Sequence, residues 1–392
     1  MKLCLLAPRF PFPENGGDVL RINNIARYLK SKNFELVLIS FYEDEIRLKK
    51  EYFTLYDTIY MIKRTKIVSL IMSFIFALTG RPIQCGYYFS FKFLKQLRRS
   101  IKQELPDEYV SHLLRMTPYL ELTHQQKNSI VEMTDALSKT YGLSLKAKGN
   151  FVKKFIYKIE LGLIRCYEKY VVKHFPKVVL VSEADVKYLE KQCGSTSKSL
   201  AVYTNGVDCL SAIPATYKKN RICFIGNMRT LQNQDAVLHF VNDIFPLIKK
   251  AVPNAVFTVI GAEPPENILA LADGKNIIVT GFVDDIQAVV SECCLAVAPV
   301  RVAAGIQNKV LVAMGCGVPV VMSSLISGAI PELSDGKNCF IQDDANIFAE
   351  KCILLMQDNE VRSVISRTGY ETVKTHYSWN EKLEGYEKIT KS

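Results

Sequence analysis

The chain of 392 residues lacks a hydrophobic run long enough to span a bilayer. Its most apolar stretch, Ile67 to Thr79 (IVSLIMSFIFALT), holds thirteen residues, where about twenty are needed. It has eleven cysteines but no C-x-x-C and no Cys/His spacing that suits zinc. Most of these cysteines lie in apolar surroundings, as Cys4, Cys223 and Cys316 do, and Cys293 and Cys294 stand beside an apolar run. They read as reduced, buried thiols of a cytoplasmic protein. The five histidines do not cluster with acids, so no metal site is visible. RNA-recognition aromatics, zinc fingers and helix-turn-helix signals are missing, which argues against nucleic acid as a partner. There is no internal repeat and no low-complexity segment. The opening KLCLLA is too short for the apolar region of a secretory signal and runs into a strand-like pattern. With 48% hydrophobic and 23% charged residues, wholesale disorder is excluded.

What the chain does have is a lopsided charge. Residues 1–200 hold 33 Lys and Arg against 19 Asp and Glu, whereas residues 201–375 hold 14 against 17. A basic first half beside a slightly acidic second half implies that one domain faces a polyanion. The Ile67–Thr79 run is flanked by Lys63, Arg64, Lys66 and Arg81, and Lys146 to Lys177 carries nine Lys and Arg against two Glu. Phe151, Phe155, Ile156, Ile159, Leu163, Ile164 and Val171 interleave those charges in a basic amphipathic pattern. An anionic membrane surface is the partner this favours. A core-packed helix with a solvated basic face is the alternative.

Short apolar runs alternate with amphipathic ones. Strands are expected at Lys2–Ala7, Glu35–Phe41, Thr58–Ile62, Ser129–Met133, Val178–Ser182 and Leu200–Thr204, with a helix at Asp18–Ser31. After N-G-V-D (Asn205–Asp208) and a stretch of weak pattern, a second series begins. Its strands are Arg221–Gly226, Val256–Gly261, Asn276–Thr280, Cys294–Val300 and Val318–Met322, and its helices Asp235–Lys250 and Asn308–Gly315. Continuous apolar strands separated by helices make parallel sheets covered on both faces. The reading is therefore α/β, with two Rossmann-like domains at 1–212 and 213–375.

Ligands of such sheets bind beyond the carboxyl ends of strands. Four loops qualify. In the first, P-R-F-P-F-P-E-N-G-G-D, Gly16 and Gly17 precede a helix at Asp18 and allow close approach of an anion to free amides. In the second, G-I-Q-N-K (Gly305, Ile306, Gln307, Asn308, Lys309) opens a helix behind Arg301. Asn308 can cap that helix, and its electropositive end with Lys309 suits a diphosphate. The third is G-N-M-R, with Gly226, Asn227 and Arg229. The fourth is T-G-F-V, with Gly281, Phe282 and Val283, where Phe282 can stack on a flat ring.

Taken in order, PRFPFPENGGDVLR, EMTDALS, NGVD, FIGNM, GFVDD, GIQNK followed by AM-x-x-G-x-PVV, and AIPELSDGKN resemble the retaining, family-4-like glycosyltransferases of GT-B fold. Bacterial sugar transferases of exopolysaccharide synthesis are the nearest in pattern. The likeness runs almost end to end. It implies two Rossmann domains around a cleft, a helix at 376–392 packing back on the first, a nucleotide-diphosphate sugar held mainly by the second, and a glycan or lipid-linked glycan acceptor held mainly by the first. It also implies no metal, no resident cofactor, and a cytoplasmic protein peripheral to the inner face of the cell membrane. Lys309 and Arg301 would offset the leaving diphosphate. Asp135, after the Ser129–Met133 strand, and Asp18 would hold acceptor hydroxyls, and no nucleophile is assigned. Two family glutamates, eight positions apart, fall on Ala304 and Val312, and a family Arg and Lys fall on Asn227 and Gln232. Valine cannot accept a hydrogen bond, so Val312 removes a hydroxyl clamp from the donor site. Two other readings stand beside the transferase: a donor-poor, non-catalytic partner in polysaccharide assembly, and a nucleotide-sugar epimerase of similar fold.

Overall fold

A computed structural model gives the fold. It describes all residues except 15, 44–48, 51, 147–150, 195–197, 302–306, 329 and 390–392, and the side chains of 143, 144, 146 and 151–154 are also left undescribed. The chain forms two compact units, Met1–Asn205 with Lys382–Ser392, and Gly206–Glu381.

The first unit is built on seven parallel strands: β1 (Lys2–Ala7), β2 (Glu35–Tyr42), β3 (Thr58–Lys63), β4 (Glu108–His112), β5 (Ser129–Thr134), β6 (Lys177–Leu180) and β7 (Leu200–Val202). Their order is β3-β2-β1-β4-β5-β6-β7. The runs LCLLA and LVLIS are buried on both faces, as a strand between two helical layers must be. The Gly17–Ser31 helix buries Val19, Ile22, Ala26 and Leu29, at three- and four-residue spacing.

The second unit has six parallel strands: β8 (Lys218–Ile225), β9 (Val256–Ile260), β10 (Ile277–Gly281), β11 (Cys293–Ala298), β12 (Val320–Met322) and β13 (Phe340–Ile341). Their order is β10-β9-β8-β11-β12-β13. In each unit the direction of strand addition reverses once, between β1 and β4 and between β8 and β11. A crevice outside the carboxyl ends opens at such reversals. The loops after β1, β4, β8 and β11 are therefore where ligand chemistry belongs.

The units divide at Asn205/Gly206 rather than 212/213, and the chain rejoins the first unit at Lys382 rather than 376. Hydrogen bonds explain both shifts. Val207 donates to the Tyr377 carbonyl at 2.8 Å, and Leu210 to the Gly315 carbonyl at 3.0 Å. The Leu210 carbonyl accepts from the Tyr370 hydroxyl at 2.8 Å. Beyond Lys382, the Tyr28 hydroxyl donates to Glu387 at 2.6 Å, and Tyr386 is fully buried in the first unit. The expected Asp235–Lys250 helix is three pieces, Leu231–His239, a wider turn at Phe240–Ile244, and Phe245–Ala251, whose second residue is Pro246. All eleven cysteines are unpaired, and eight of them are buried.

Candidate functional site

In the second unit three loops are locked backbone to backbone. Gly226, just past β8, donates to the Ile260 carbonyl at 3.0 Å, and Met228 to the Ala262 carbonyl at 3.0 Å. A Cβ at Gly261 would stand 1.8 Å from the Gly226 carbonyl oxygen, so only glycine permits this crossing. Gly261 in turn donates to Gly281 at 3.2 Å. Buried Asn233 closes the group. Its amide nitrogen donates to the Asn227 carbonyl at 2.8 Å, and its carbonyl oxygen accepts from the Lys309 ammonium.

Lys309 is the focus of this arrangement. Its Nζ lies 4.8 Å from the centre of the Phe224 ring, a distance at which a cation is attracted by the ring face. Burial pushes its pKa from 10.5 to about 8. The β8–β11 reversal thus holds a cation with one polar partner and one aromatic face, in the first turn of the Asn308–Gly315 helix. An anion placed there would restore the proton's stability and meet the helix's free amides.

The other expected residues of this unit are variously engaged. Arg301 is exposed and its Nε donates to Asp235 at 3.0 Å; the hydrogen bond and charge of Asp235 raise its pKa. Arg229 pairs with Glu263 at 2.6 Å, and its backbone N–H donates to the Asn227 side chain at 2.9 Å. Asn308 was the expected cap, but it is the first residue of the helix and exposed. The capping position belongs to buried Gln307, whose side chain makes no capping bond. Gly305 and Ile306 lie outside the described residues, as does Ala304. Gly281 has a φ of 67°, a left-handed turn that leaves Phe282 57% exposed. Val283 and Val312 are both half-buried against the unit's core.

In the first unit Gly16 has a φ of 117°, and a Cβ there would meet Arg9 at 2.7 Å; Gly17 has open space about it. Asp18 is held by Arg9, whose Nε donates at 2.8 Å. Burial works against the Asp18 charge, but the Arg9 hydrogen bond and charge prevail and keep its carboxyl below the usual range. Asp135 follows β5 at the surface of the unit. Desolvation and then Asp185 raise its pKa.

Three functional candidates were not foreseen. His112 ends β4, buried, and neither ring nitrogen completes a hydrogen bond among the described residues. Burial pushes its pKa down to about 3, against the pull of Asp18, so it is neutral at physiological pH. Beside it in register, Glu132 of β5 accepts from Arg21 at 2.8 Å, both side chains wholly buried. Arg21 also donates to Asn205 of N-G-V-D at 2.9 Å. Asn233 is the third. A single sequence carries no signal for it, because its partner is 76 residues away. Among the described residues, no group of three or more His, Cys, Asp or Glu could hold a metal ion.

The two parallel-sheet α/β units, each with one reversal of strand order, match the GT-B fold of solved glycosyltransferases. Residues 219–358 match the family described as Glycosyl transferases group 1. The chain is 21% identical to the "uncharacterized 44.6 kDa protein in cps region" of Klebsiella pneumoniae, over 96% of each protein. Among solved structures, a variant of S. aureus TarM in complex with fondaparinux, α-GlcNAc-glycerol and UDP is similar at a TM-score of 0.63, with 13% identity over 100% of each chain. Anabaena HepE in complex with UDP and glucose gives a TM-score of 0.60, with 13% identity over 99% of each chain. The resemblance to GT-B sugar transferases is borne out in fold and in the group 1 segment.

Proposed function

We propose that this chain transfers a sugar from a nucleotide-diphosphate donor to a lipid-linked or growing surface glycan, with retention of configuration. The observation that carries the reading is the half-buried, easily deprotonated Lys309 at the β8–β11 reversal. The donor's diphosphate binds beside Lys309 and the helix it opens, with Gly226, Asn227 and Gly281 giving the backbone room and Phe282 facing the base. Transfer breaks the bond from the sugar's anomeric carbon to the diphosphate and forms one to an acceptor hydroxyl. The hydroxyl proton passes to the leaving diphosphate, and protein cations with the helix amides take the charge-neutralising role of a metal. Lys309 offsets the charge that develops on that leaving group. Arg301 joins it on release from Asp235, and Asp135 and Asp18 hold acceptor hydroxyls. The relatives support the substrate class: TarM was solved with UDP and HepE with UDP and glucose, and the Klebsiella relative lies in a cps region.

Val312 favours a second reading, a donor-poor member acting as a partner in polysaccharide assembly, because an apolar side chain packs where a hydroxyl clamp is expected. A thermal-shift screen against nucleotide sugars separates the two, since a ligand that binds only the native state raises its melting temperature. One donor should stabilise the wild type, and Lys309→Ala should abolish that shift while Lys250→Ala, at an exposed site of the same unit, keeps it. No shift with any donor, and no turnover with lipid-linked acceptors, would leave the partner reading.

A further inference from the structure

The Lys66–Leu78 helix of the first unit is turned inside out. In an ordinary surface helix the large apolar side chains face the core and the polar ones face water. Here Ser69 and Ser73 are buried with Met72 and Phe76. On the opposite side Ile67 is 70% exposed, Leu70 64%, Phe74 67% and Leu78 71%, with Ile71 between them. Positions 67, 70, 71, 74 and 78 form one stripe at three- and four-residue spacing.

This stripe is rigidly mounted. A Cβ at Gly86 would stand 2.4 Å from the Met72 carbonyl oxygen, so the Ile83–Tyr87 helix touches the Lys66–Leu78 helix backbone to backbone. Glu160 of the Phe151–His174 helix accepts from the backbone N–H of Ile83 at 2.7 Å and of Gln84 at 3.1 Å. Within one and a half turns before Glu160, Phe155, Ile156 and Ile159 are also exposed. Arg81, which follows the stripe, is held by Glu121 at 2.8 Å.

The chain segment that carries the stripe has charge of one sign. Residues 58–103 hold nine Lys and Arg and no Asp or Glu. Lys63 and Lys66, at the start of the helix, are exposed. So are Lys92, Lys95, Arg98 and Arg99, none of which has an ion-pair partner among the described residues. A second copy of the chain is a poor occupant, because a two-fold contact would set the same basic segment against itself. An anionic lipid leaflet satisfies both the apolar stripe and the cations. Thirteen helical residues span about 20 Å, short of the roughly 30 Å hydrocarbon core, and no described helix is long and apolar enough to cross a membrane.

We infer that the Lys66–Leu78 helix lies in the plane of an anionic membrane surface, its stripe sunk to the acyl boundary and Lys63 and Lys66 at the headgroups. The contact does not depend on the donor site. It is tested with the full chain and vesicles free of nucleotide and acceptor, so its failure is distinct from failure of the transfer reading. Flotation is measured with phosphatidylcholine vesicles and with vesicles containing phosphatidylglycerol, at low and high salt. The wild type should float with the anionic vesicles, less so at high salt, and poorly with phosphatidylcholine alone. Leu70→Ser/Phe74→Ser should lower the partition coefficient at least about tenfold while leaving the melting temperature unchanged, since both side chains are exposed. Lys63→Gln/Lys66→Gln should weaken anionic binding roughly tenfold and flatten its salt dependence. In Phe74→Trp, brominated acyl chains should quench the introduced indole above the Trp379 background. Flotation that ignores both double substitutions, or an indole that brominated lipid leaves unquenched, would overturn the inference. So would a lipid-independent dimer that Leu70→Ser/Phe74→Ser converts to monomer.

Discussion

Removing the Lys309 ammonium should make the protein more stable and worse at binding its donor. Burial holds the Lys309 pKa at about 8, against 10.5 in the unfolded chain. Between those values the unfolded state binds more protons, so the Lys309 contribution to stability rises with pH across that window. Below pH 8 the full cost of burying the charge is present, about 3 kcal/mol at 1.36 kcal/mol per unit, partly offset by Asn233 and the Phe224 ring. Lys309→Met removes the charge and keeps the stem, so the unliganded variant should melt higher at pH 7. A diphosphate beside Lys309 reverses the balance by favouring the protonated form. Donor affinity should then fall about tenfold between pH 7 and pH 9, and binding at pH 9 should take up about 0.9 proton per site. Lys309→Met should bind roughly ten- to a hundredfold more weakly at pH 7, from the loss of a charged hydrogen bond. Its affinity should be flat with pH. Titration calorimetry in two buffers of different protonation enthalpy reads the affinity and the proton together. Equal affinity at pH 7 and 9 without proton uptake, or a Lys309→Met variant that binds like wild type, would refute the placement of the diphosphate.

Val312→Glu places a carboxyl in a half-buried site three residues from Lys309, where the two can pair. Donor binding and turnover should stay flat or fall and the melting temperature should drop; tighter binding together with a gain in turnover would show a lost clamp restored. Glu132→Ala leaves the wholly buried Arg21 without its carboxylate and should cost about 3–5 kcal/mol in urea unfolding. Arg21→Met/Glu132→Leu should recover much of that loss, and a single variant costing under about 1 kcal/mol would show the pair to be dispensable.

Where apolar runs were continuous, as in β1, β2, β9 and β11, the strands could be read within a residue or two. β4 could not, because Glu108, Ser111 and His112 leave only Tyr109 and Val110 as apolar signal. Missing it hid the centre of the first sheet and the buried His112 at its end. The break at Phe240–Ile244 escaped because apolar periodicity continues through a widened turn. Lys309 was legible as a cation at a helix start after a strand. Its coupling to Asn233, and through Asn227 to the β8 loop, depends on a contact between segments that spacing cannot express. The inverted helix was visible only as composition. Thirteen apolar residues mark a helix for burial, and only the packing of Ser69 and Ser73 shows which face is left outside.

The return of Lys382–Ser392 to the first unit bears on how the protein is made. Tyr386 is buried there, its ring 5.2 Å from Tyr203, and Tyr28 donates to Glu387. On the ribosome, Met1–Asn205 emerges first but is missing this piece of its interior until the whole second unit has been translated. Domains generally fold as they emerge, the amino-terminal one first. Here the order of completion is inverted: the second unit can close while the first still exposes the surface that Tyr386 will cover. The stretch of synthesis between Asn205 and Lys382 is therefore the window in which the nascent first unit most needs a chaperone.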